Sequence, residues 1–211
     1  MSLIVSGIGA PSPQTAGVFL AEYTETLDPS NPSHARTVWF VGLSASGKTT
    51  LASELSQRLR AAGRCAVLLD GDALRSGVSR DLGFSRADRA RHLARVRAMA
   101  SLLNEQGVWA CVACITPFES ARRLNRTHLS HYTEVYVRCP LDVCIQRDPK
   151  GLYARALEHS SPEFTGLSQA FEPPKDPDVL LDTSTHNVDD CILQLWQHLL
   201  AASPDLLDPP G

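Results

Sequence analysis

The sequence has few lysines, little net charge and no long hydrophobic segment. Three of its 20 basic residues are lysine and 17 are arginine, and the formal net charge is −3. Such a balance does not favour binding to nucleic acid or to an anionic membrane. No apolar run approaches the roughly 20 residues that cross a bilayer. Residues 1–13 also lack the basic start and apolar core of a signal peptide, so we expect a cytoplasmic protein.

Cysteine is sparse as well. Six cysteines in 211 residues are too few for a disulfide-rich fold, and we expect them to be reduced. Cys111 and Cys114 form a C-x-x-C pair, but no second pair completes a metal site. Within a strand their side chains point to opposite faces. The length and the apolar content of 43% indicate one globular domain rather than a disordered or fibrous chain.

Proline is rare in the middle of the chain and concentrated at its ends. Seven of the 14 prolines lie in residues 1–35 and 203–211. Stretches of this composition are typical of irregular segments. We therefore predict a mostly irregular N-terminal arm (1–35), a folded domain (36–202) and a Pro-rich tail (203–211). Neither end contains a recognisable motif.

Apolar strands alternate with helices between those ends. Short apolar runs predict buried strands, and apolar residues spaced by three or four positions predict helices. Strands and helices in alternation form a parallel sheet that is covered on both faces. Residues 148–177 show no clear periodicity, which predicts a long loop or lid. The predicted strands are 37–41, 65–69, 108–115, 133–138 and 179–181, and the predicted helices are 48–62, 86–105, 117–129, 141–147 and 188–200.

The turn after the first predicted strand matches the phosphate-binding pattern G-x-x-x-x-G-K-[ST] at every fixed position. Its two glycines let successive backbone N–H groups point at phosphate oxygens, and the start of the next helix adds partial positive charge. Lys48 would reach the β- and γ-phosphates of ATP, and the Thr49 hydroxyl is a candidate Mg²⁺ ligand. The loop alone does not separate kinases from GTPases and ATPases. The candidate nucleotide-binding residues are Gly42, Leu43, Ser44, Ala45, Ser46, Gly47, Lys48, Thr49 and Thr50.

An acidic turn, Asp70-Gly71-Asp72, follows the second predicted strand. Ligands bind at the carboxyl ends of strands in open α/β sheets. Two carboxylates there can divide their tasks, one near a metal and one accepting a hydroxyl proton. A solvated turn is the alternative, because Asp-Gly is common in turns. Seven arginines follow between Arg75 and Arg97, and they predict either anion recognition or a solvated helix face.

In their order along the chain, the motifs resemble those of the adenylyl-sulfate kinase (APS kinase) family over residues 37–199. The resemblance implies a P-loop fold of the nucleoside-monophosphate-kinase type, with a five-stranded parallel sheet, helices on both faces and a lid loop. It also implies transfer of the ATP γ-phosphoryl group, with Mg²⁺, to the 3′-hydroxyl of adenosine 5′-phosphosulfate (APS). The motifs are Gly42-Leu-Ser-Ala-Ser-Gly-Lys-Thr-Thr50, Leu69-Asp-Gly-Asp72 with Arg75, Asp81-Leu-Gly-Phe-Ser85 with Asp88-Arg89, Ile115-Thr-Pro-Phe118, Arg147-Asp-Pro-Lys-Gly-Leu-Tyr153, Phe164-Thr-Gly-Leu167 and Phe171-Glu-Pro-Pro174.

The resemblance also implies roles for single residues. Asp72 would be the base at the 3′-hydroxyl, with Lys48 as the second catalytic group, and Asp70 would support both metal and substrate. Thr116 replaces a serine that has been proposed as a phosphoenzyme site in some members, and a structural hydroxyl is the alternative. Arg147 would pack on the ATP side. The implied substrate contacts are Asp70, Arg75, Phe84, Arg89, His92, Ile115, Lys150, Gly151, Leu152 and Phe164, with Phe84 and Phe164 enclosing the adenine.

Two departures from the family pattern bear on the substrate. His92 stands where the family has a substrate-contacting Asn, and residues 154–157 carry one basic residue where the family has three. They keep open the alternative of a kinase of another nucleotide or sugar. A separate alternative is a non-catalytic nucleotide-binding partner of ATP sulfurylase. The resemblance further suggests a homodimer.

Overall fold

The computed structural model describes residues 35–159 and 162–207. The predictions for residues 1–34 and 208–211 lie outside this part of the chain. The described strands are β1 (Thr37–Val41), β2 (Ala66–Asp70), β3 (Trp109–Ala113), β4 (Tyr132–Arg138) and β5 (Val179–Asp182). They form one parallel sheet in the order β2-β3-β1-β4-β5. The predicted fold class is confirmed.

Helices connect successive strands and cover both faces of the sheet. Side chains that alternate along β1 show the two layers. Val38 and Phe40 pack in one apolar cluster with the helices Lys48–Ala61 and Val188–Ala202, and Trp39 packs in the other with the helix Arg86–Glu105. Both clusters are buried, as expected for a parallel sheet. The helices are α1 (Lys48–Ala61), α2 (Gly71–Ser76), α3 (Arg86–Glu105), α4 (Glu119–His128), α5 (Leu141–Arg147), α6 (Leu152–Glu158) and α7 (Val188–Ala202).

The cysteines agree with the sequence analysis. All six are free thiols, and Cys111 and Cys114 lie in different apolar clusters on opposite faces of the sheet. Burial raises the pKa of each of these two thiols to about 12, so neither is a thiolate at neutral pH. Among the described helices, none combines the length and the apolar character needed to cross a bilayer.

Residues 148–177 are not a continuous loop, and that part of the prediction is wrong. Helix α6 begins after Gly151, and the two carboxylate oxygens of Asp148 accept hydrogen bonds from the N–H groups of Leu152 (2.8 Å) and Ala154 (3.0 Å). The buried face of α6 is too short to show helical periodicity in the sequence. Tyr153 is buried on that face, and its hydroxyl donates to the Ser44 carbonyl oxygen in the P-loop at 3.2 Å.

The end of the folded domain also differs from the prediction. A 3₁₀ helix (Pro204–Leu207) follows α7, and Leu206 is 1% exposed in the same apolar cluster as α1 and α7. Arg36 donates from Nε to the Ser203 hydroxyl at 2.6 Å, which ties this segment to the start of β1. The folded domain therefore extends to at least Leu206, because this side chain is buried in the core.

Helix α4 begins at Glu119 rather than at Pro117. Thr116 has a φ of 47°, which turns the chain away from helical geometry just before the proline. The Glu172 carboxylate accepts a hydrogen bond from the Glu119 N–H at 2.7 Å, and the Glu172 N–H donates to the Pro117 carbonyl oxygen at 2.8 Å. A distant segment thus sets the start of the helix.

Candidate active site

A cavity of about 1360 Å³ lies along the carboxyl edge of the sheet. It is lined by the P-loop, the acidic turn after β2, the start of α3, the turn after β3, the lid segment and the connection from β5 to α7. Ligand sites of open α/β sheets occupy this edge. The described part of the chain therefore brings most of the predicted site residues together around one space.

The P-loop conformation depends on its two glycines. A Cβ on Gly42 would lie 2.5 Å from the Val137 carbonyl oxygen, and Gly47 has a φ of 97°. Both positions therefore favour glycine. Gly42, Leu43 and Ser46 support the loop without lining the cavity, whereas the remaining predicted nucleotide-binding residues of the loop line it.

Lys48 lies buried at the start of α1, and its ammonium group donates to the Leu43 carbonyl oxygen. Burial lowers the pKa of Lys48 to about 8, although nearby acidic groups act in the opposite direction. The group is therefore cationic at neutral pH but close to its titration range. A desolvated cation in this position binds phosphate oxygens more strongly than a solvated one.

Asp70 joins the P-loop to the acidic turn. Its Oδ2 accepts a hydrogen bond from the Thr49 hydroxyl at 2.6 Å, and its Oδ1 accepts from the N–H groups of Asp72 (2.9 Å) and Ala73 (3.1 Å), which caps α2. Burial alone would raise the pKa of Asp70, but these hydrogen bonds hold it below its usual value. Asp70 is therefore an anion held beside a hydroxyl.

Thr49 and Asp70 also fit the predicted magnesium site. Among the described residues, no cluster of three or more His, Cys, Asp and Glu side chains could form an all-protein metal cage. A hydroxyl and a carboxylate suit Mg²⁺, which usually takes one or two protein ligands and completes its shell with phosphate oxygens and water. The residues present are compatible with that kind of site.

Asp72 and Lys150 link the acidic turn to the lid. The Lys150 ammonium nitrogen lies 2.6 Å from Oδ2 of Asp72, and this contact raises the pKa of Lys150. Both side chains are more than half exposed, so solvent screens the pair. Lys150 and Leu152 line the cavity, whereas Gly151, with a φ of 62°, forms the turn that starts α6 and does not line it.

Two arginines and an aromatic ring form the other end of the cavity. The guanidinium groups of Arg75 and Arg89 lie 4.6 Å and 5.5 Å from the ring centroid of Phe84, which is 52% exposed. Arg89 is buried and donates to the carbonyl oxygens of Phe84 (2.9 Å) and Glu163 (2.6 Å). Phe164 lines the same cavity from the lid segment. This end can hold an anionic group beside a planar one.

His92 lies beneath this end of the cavity and is 4% exposed. Its Nδ1 is 3.0 Å from the Ser79 hydroxyl oxygen. Burial, followed by the charges of Arg75 and Arg95, lowers the pKa of His92 to about 4. The imidazole is consequently neutral at physiological pH and lines the cavity as a polar, uncharged group.

Ile115 and Thr116 form the turn after β3 and line the cavity. The Ile115 carbonyl oxygen accepts a hydrogen bond from the Gly42 N–H at 3.4 Å. The buried Thr116 hydroxyl accepts from the Trp39 indole N–H at 2.8 Å and donates to the Cys114 carbonyl oxygen at 3.3 Å. The hydroxyl therefore already acts as both an acceptor and a donor within the protein. This favours the structural alternative for Thr116 over a phosphoenzyme site.

The connection from β5 to α7 contributes cavity residues that the sequence analysis did not identify. Thr183, His186, Asn187 and Val188 line the cavity beside Arg147. Arg147 donates to the hydroxyl (3.2 Å) and carbonyl (2.6 Å) oxygens of Thr183, whose hydroxyl lies 2.9 Å from the Ser46 carbonyl oxygen. No motif marks these residues. Their position at the carboxyl end of a parallel strand was the signal that could have found them.

Comparison with known proteins identifies the family. A family model described as adenylylsulphate kinase matches residues 34–182. An adenylyl-sulfate kinase of Chloroflexus aurantiacus is 46% identical over 165 residues, which are 78% of this chain and 87% of that protein. One of Deinococcus deserti is 44% identical over 176 residues, 83% of this chain and 97% of that protein.

A solved structure agrees with these matches. The Mycobacterium tuberculosis APS kinase in complex with AMPPNP and APS has a TM-score of 0.76 and 39% sequence identity to this chain, and the match covers 79% of this chain and 98% of the other. Residues 34–182, which the family model matches, contain the P-loop, the acidic turn and the arginine-rich end of the cavity. The chain belongs to the adenylyl-sulfate kinase family.

Proposed function

We propose that this protein is an adenylyl-sulfate kinase, which transfers the γ-phosphoryl group of ATP to the 3′-hydroxyl of APS. The observation that carries the proposal is the single cavity with a P-loop at one end and the Arg75–Phe84–Arg89 cluster at the other. Asp72 lines the same cavity as the P-loop and this cluster. Phosphoryl transfer needs the two substrates placed in line and their charge neutralised, and this cavity provides groups for both tasks.

ATP binds at the P-loop end. The start of α1 and the Lys48 ammonium group neutralise the phosphates. Arg147 is the predicted contact for the rest of the nucleotide. Its two hydrogen bonds to Thr183 hold it on the ATP side of the cavity. Thr49 and Asp70 would hold Mg²⁺ when it is bound, and the metal then supplies additional neutralisation of phosphate charge.

APS binds at the opposite end. Arg75 and Arg89 hold the phosphosulfate through charge-assisted hydrogen bonds, and Phe84 and Phe164 contact the adenine ring. Ile115 lines the cavity between these groups and the P-loop as the predicted backbone contact. With APS bound in this way, we expect its 3′-hydroxyl to face Asp72, which lines the same cavity.

Asp72 acts as the base. Its carboxylate accepts the proton of the 3′-hydroxyl, the hydroxyl oxygen forms a bond to the γ-phosphorus, and the bond from that phosphorus to the bridging oxygen of ADP breaks. Before this step Lys150 must leave the Asp72 carboxylate, and its charge is then available to the substrate phosphates. Lys150 and Leu152 line the cavity from the lid, and we expect them to limit the access of water to ATP once both substrates are bound.

The test is a product assay with several acceptors. The purified protein with ATP and Mg²⁺ should release ADP when APS is added, and the product should carry the new phosphate at the 3′-position by mass spectrometry and NMR. AMP, gluconate and shikimate serve as competing acceptors. Faster turnover with one of these would support the alternative that His92 and the less basic lid adapt the site to another acceptor, and would overturn the proposal.

Two further expectations belong with this proposal. A homodimer is suggested by the family resemblance, and light scattering on the purified protein tests it. The non-catalytic alternative predicts ATP binding without turnover and binding to ATP sulfurylase. The buried Lys48, the Thr49–Asp70 contact and the accessible Asp72 support a catalytic protein instead.

A further inference from the structure

Ser79 and His92 form a buried polar pair at the APS end of the cavity. Ser79 is 0% exposed and lies in the turn between α2 and α3, where its N–H donates to the Leu74 carbonyl oxygen at 3.0 Å. Its hydroxyl has one hydrogen-bond partner among the described residues, Nδ1 of His92 at 3.0 Å. No motif of the sequence includes Ser79, and the proposed mechanism does not use it.

The environment of this pair favours one tautomer of His92. If Nδ1 carried the proton, it would donate to Ser79, and the buried hydroxyl hydrogen of Ser79 would have no acceptor. If Nδ1 is unprotonated, it accepts the Ser79 hydroxyl hydrogen and both groups are satisfied. Because an unsatisfied buried donor is costly, the second arrangement is favoured. The imidazole proton then lies on Nε2.

Nε2 has no hydrogen-bond partner among the described residues, and His92 lines the cavity. The charged groups that act on the ring are Arg75 and Asp72 from α2 and Arg89 and Arg95 from α3. Burial and the three arginines keep the imidazole neutral. His92 therefore provides an uncharged N–H donor beside two arginines that suit an anionic group.

We propose that Ser79 is a positioning residue that holds His92 in the Nε2-protonated tautomer, so that His92 donates a hydrogen bond to a phosphosulfate oxygen of APS. The proposal rests on the proposed function. It explains how a histidine can replace the family's asparagine: the Asn side-chain amide is a neutral donor by itself, whereas imidazole needs a partner that selects which nitrogen carries the proton. Ser79 is that partner.

The first experiment measures the tautomer without any substrate. ¹⁵N-histidine-labelled protein is studied by NMR, and the His92 signals are assigned by their loss in His92→Asn. The expected result is an unprotonated Nδ1 and a protonated Nε2 at neutral pH, with Ser79→Ala showing a mixture of tautomers. A protonated Nδ1 in the wild-type protein overturns the proposal, whatever reaction the protein catalyses.

The second experiment measures coupling between the two residues. Ser79→Ala should raise KM for APS about tenfold, the equivalent of one hydrogen bond, with kcat and KM for ATP nearly unchanged. In the His92→Asn background the same substitution should change KM for APS by less than about twofold, because asparagine has no tautomer to select. Ser79→Thr keeps the hydroxyl, and its KM for APS should equal that of the wild-type protein. Ser76→Ala, which removes an exposed hydroxyl bonded within α2, is the matched control.

The outcomes separate the possible explanations. An equal increase in KM in both backgrounds means that Ser79 acts only on the turn between α2 and α3, and it overturns the proposal. Failure of the proposed function would instead appear as no APS-dependent turnover in the wild-type protein, and the NMR result would still decide which nitrogen carries the proton.

Discussion

At the scale of single residues, Asp72 has the most direct role in the proposed chemistry, and it can be tested by one isosteric change. Asp72→Asn keeps the side-chain size but cannot accept the 3′-hydroxyl proton. We expect kcat to fall about 100- to 10,000-fold, the usual contribution of a general base, while ATP affinity changes little. Coupled ADP release and ATP titration measure the two effects. Asp142→Asn, at an exposed position in α5, is the control, and near-normal turnover by Asp72→Asn would exclude Asp72 as the base.

Among the site residues, Lys48 has a charge that changes just above neutral pH. Burial lowers its pKa to about 8, so the free protein loses the Lys48 cation as the pH rises through that value. Because the protonated form binds the phosphates, we expect ATP affinity to be highest below pH 8 and to fall above it. Titration of ATP binding from neutral to alkaline pH measures this.

The matched variant for this test is Lys48→Met, which removes the charge and keeps an apolar stem. We expect about 10- to 100-fold weaker ATP binding at neutral pH, from the loss of charge-assisted hydrogen bonds, and no further fall through pH 8. A fall of equal size in Lys48→Met would assign the pH dependence to another group.

At the scale of elements, Asp148 stabilises the first turn of the lid helix α6, whose N-cap residue is Gly151. Its two carboxylate oxygens accept the N–H groups of Leu152 and Ala154, which have no partner within the helix. Lys150 lies in the same turn, so loss of the cap should loosen the contact between Lys150 and Asp72. The lid helix is therefore stabilised from its N-terminal side by one residue.

Asp148→Ala tests this arrangement. Removal of a helix cap usually destabilises the helix by about 0.5–2 kcal/mol, and we expect KM for APS to rise about 2- to 30-fold with a small effect on the urea midpoint. Asp148→Asn keeps one carbonyl acceptor and should lie between Ala and the wild type. Equal KM values for the two variants would show that the charge of Asp148, rather than its capping, affects the substrate.

Local patterns were sufficient to predict the elements that contain a complete apolar stripe or a fixed motif. The strands were predicted from short apolar runs and α1 from the P-loop motif and its apolar spacing, which are all patterns of neighbouring residues. Helix α6 was missed because its start depends on a cap from Asp148 and its buried face is short. Thr183 was missed because its role comes from a contact with Arg147, which is distant in the sequence. Ser79 was missed because its role comes from a contact with His92 that no motif marks.

At the scale of the whole molecule, the two ends of the described chain stabilise the same side of the sheet. Arg36 precedes β1 and binds the hydroxyl of Ser203 after α7, and Leu206 fills the apolar cluster formed by α1 and α7. Helix α1 starts at the P-loop, so packing at the far end of this helix supports the element that binds phosphate. The C-terminal segment is consequently part of the kinase core.

Leu206→Ala tests whether this segment contributes to the stability of the whole domain. The side chain is 1% exposed, and removal of a buried leucine side chain lowers the free energy of unfolding by about 2–5 kcal/mol. Leu193→Ala on α7, where the side chain is 54% exposed, should change it by less than about 0.5 kcal/mol. Urea unfolding gives both values. Equal stability of the two variants would mean that the segment after α7 is an appendage, and the folded domain would then end at Ala202 as the sequence alone predicts.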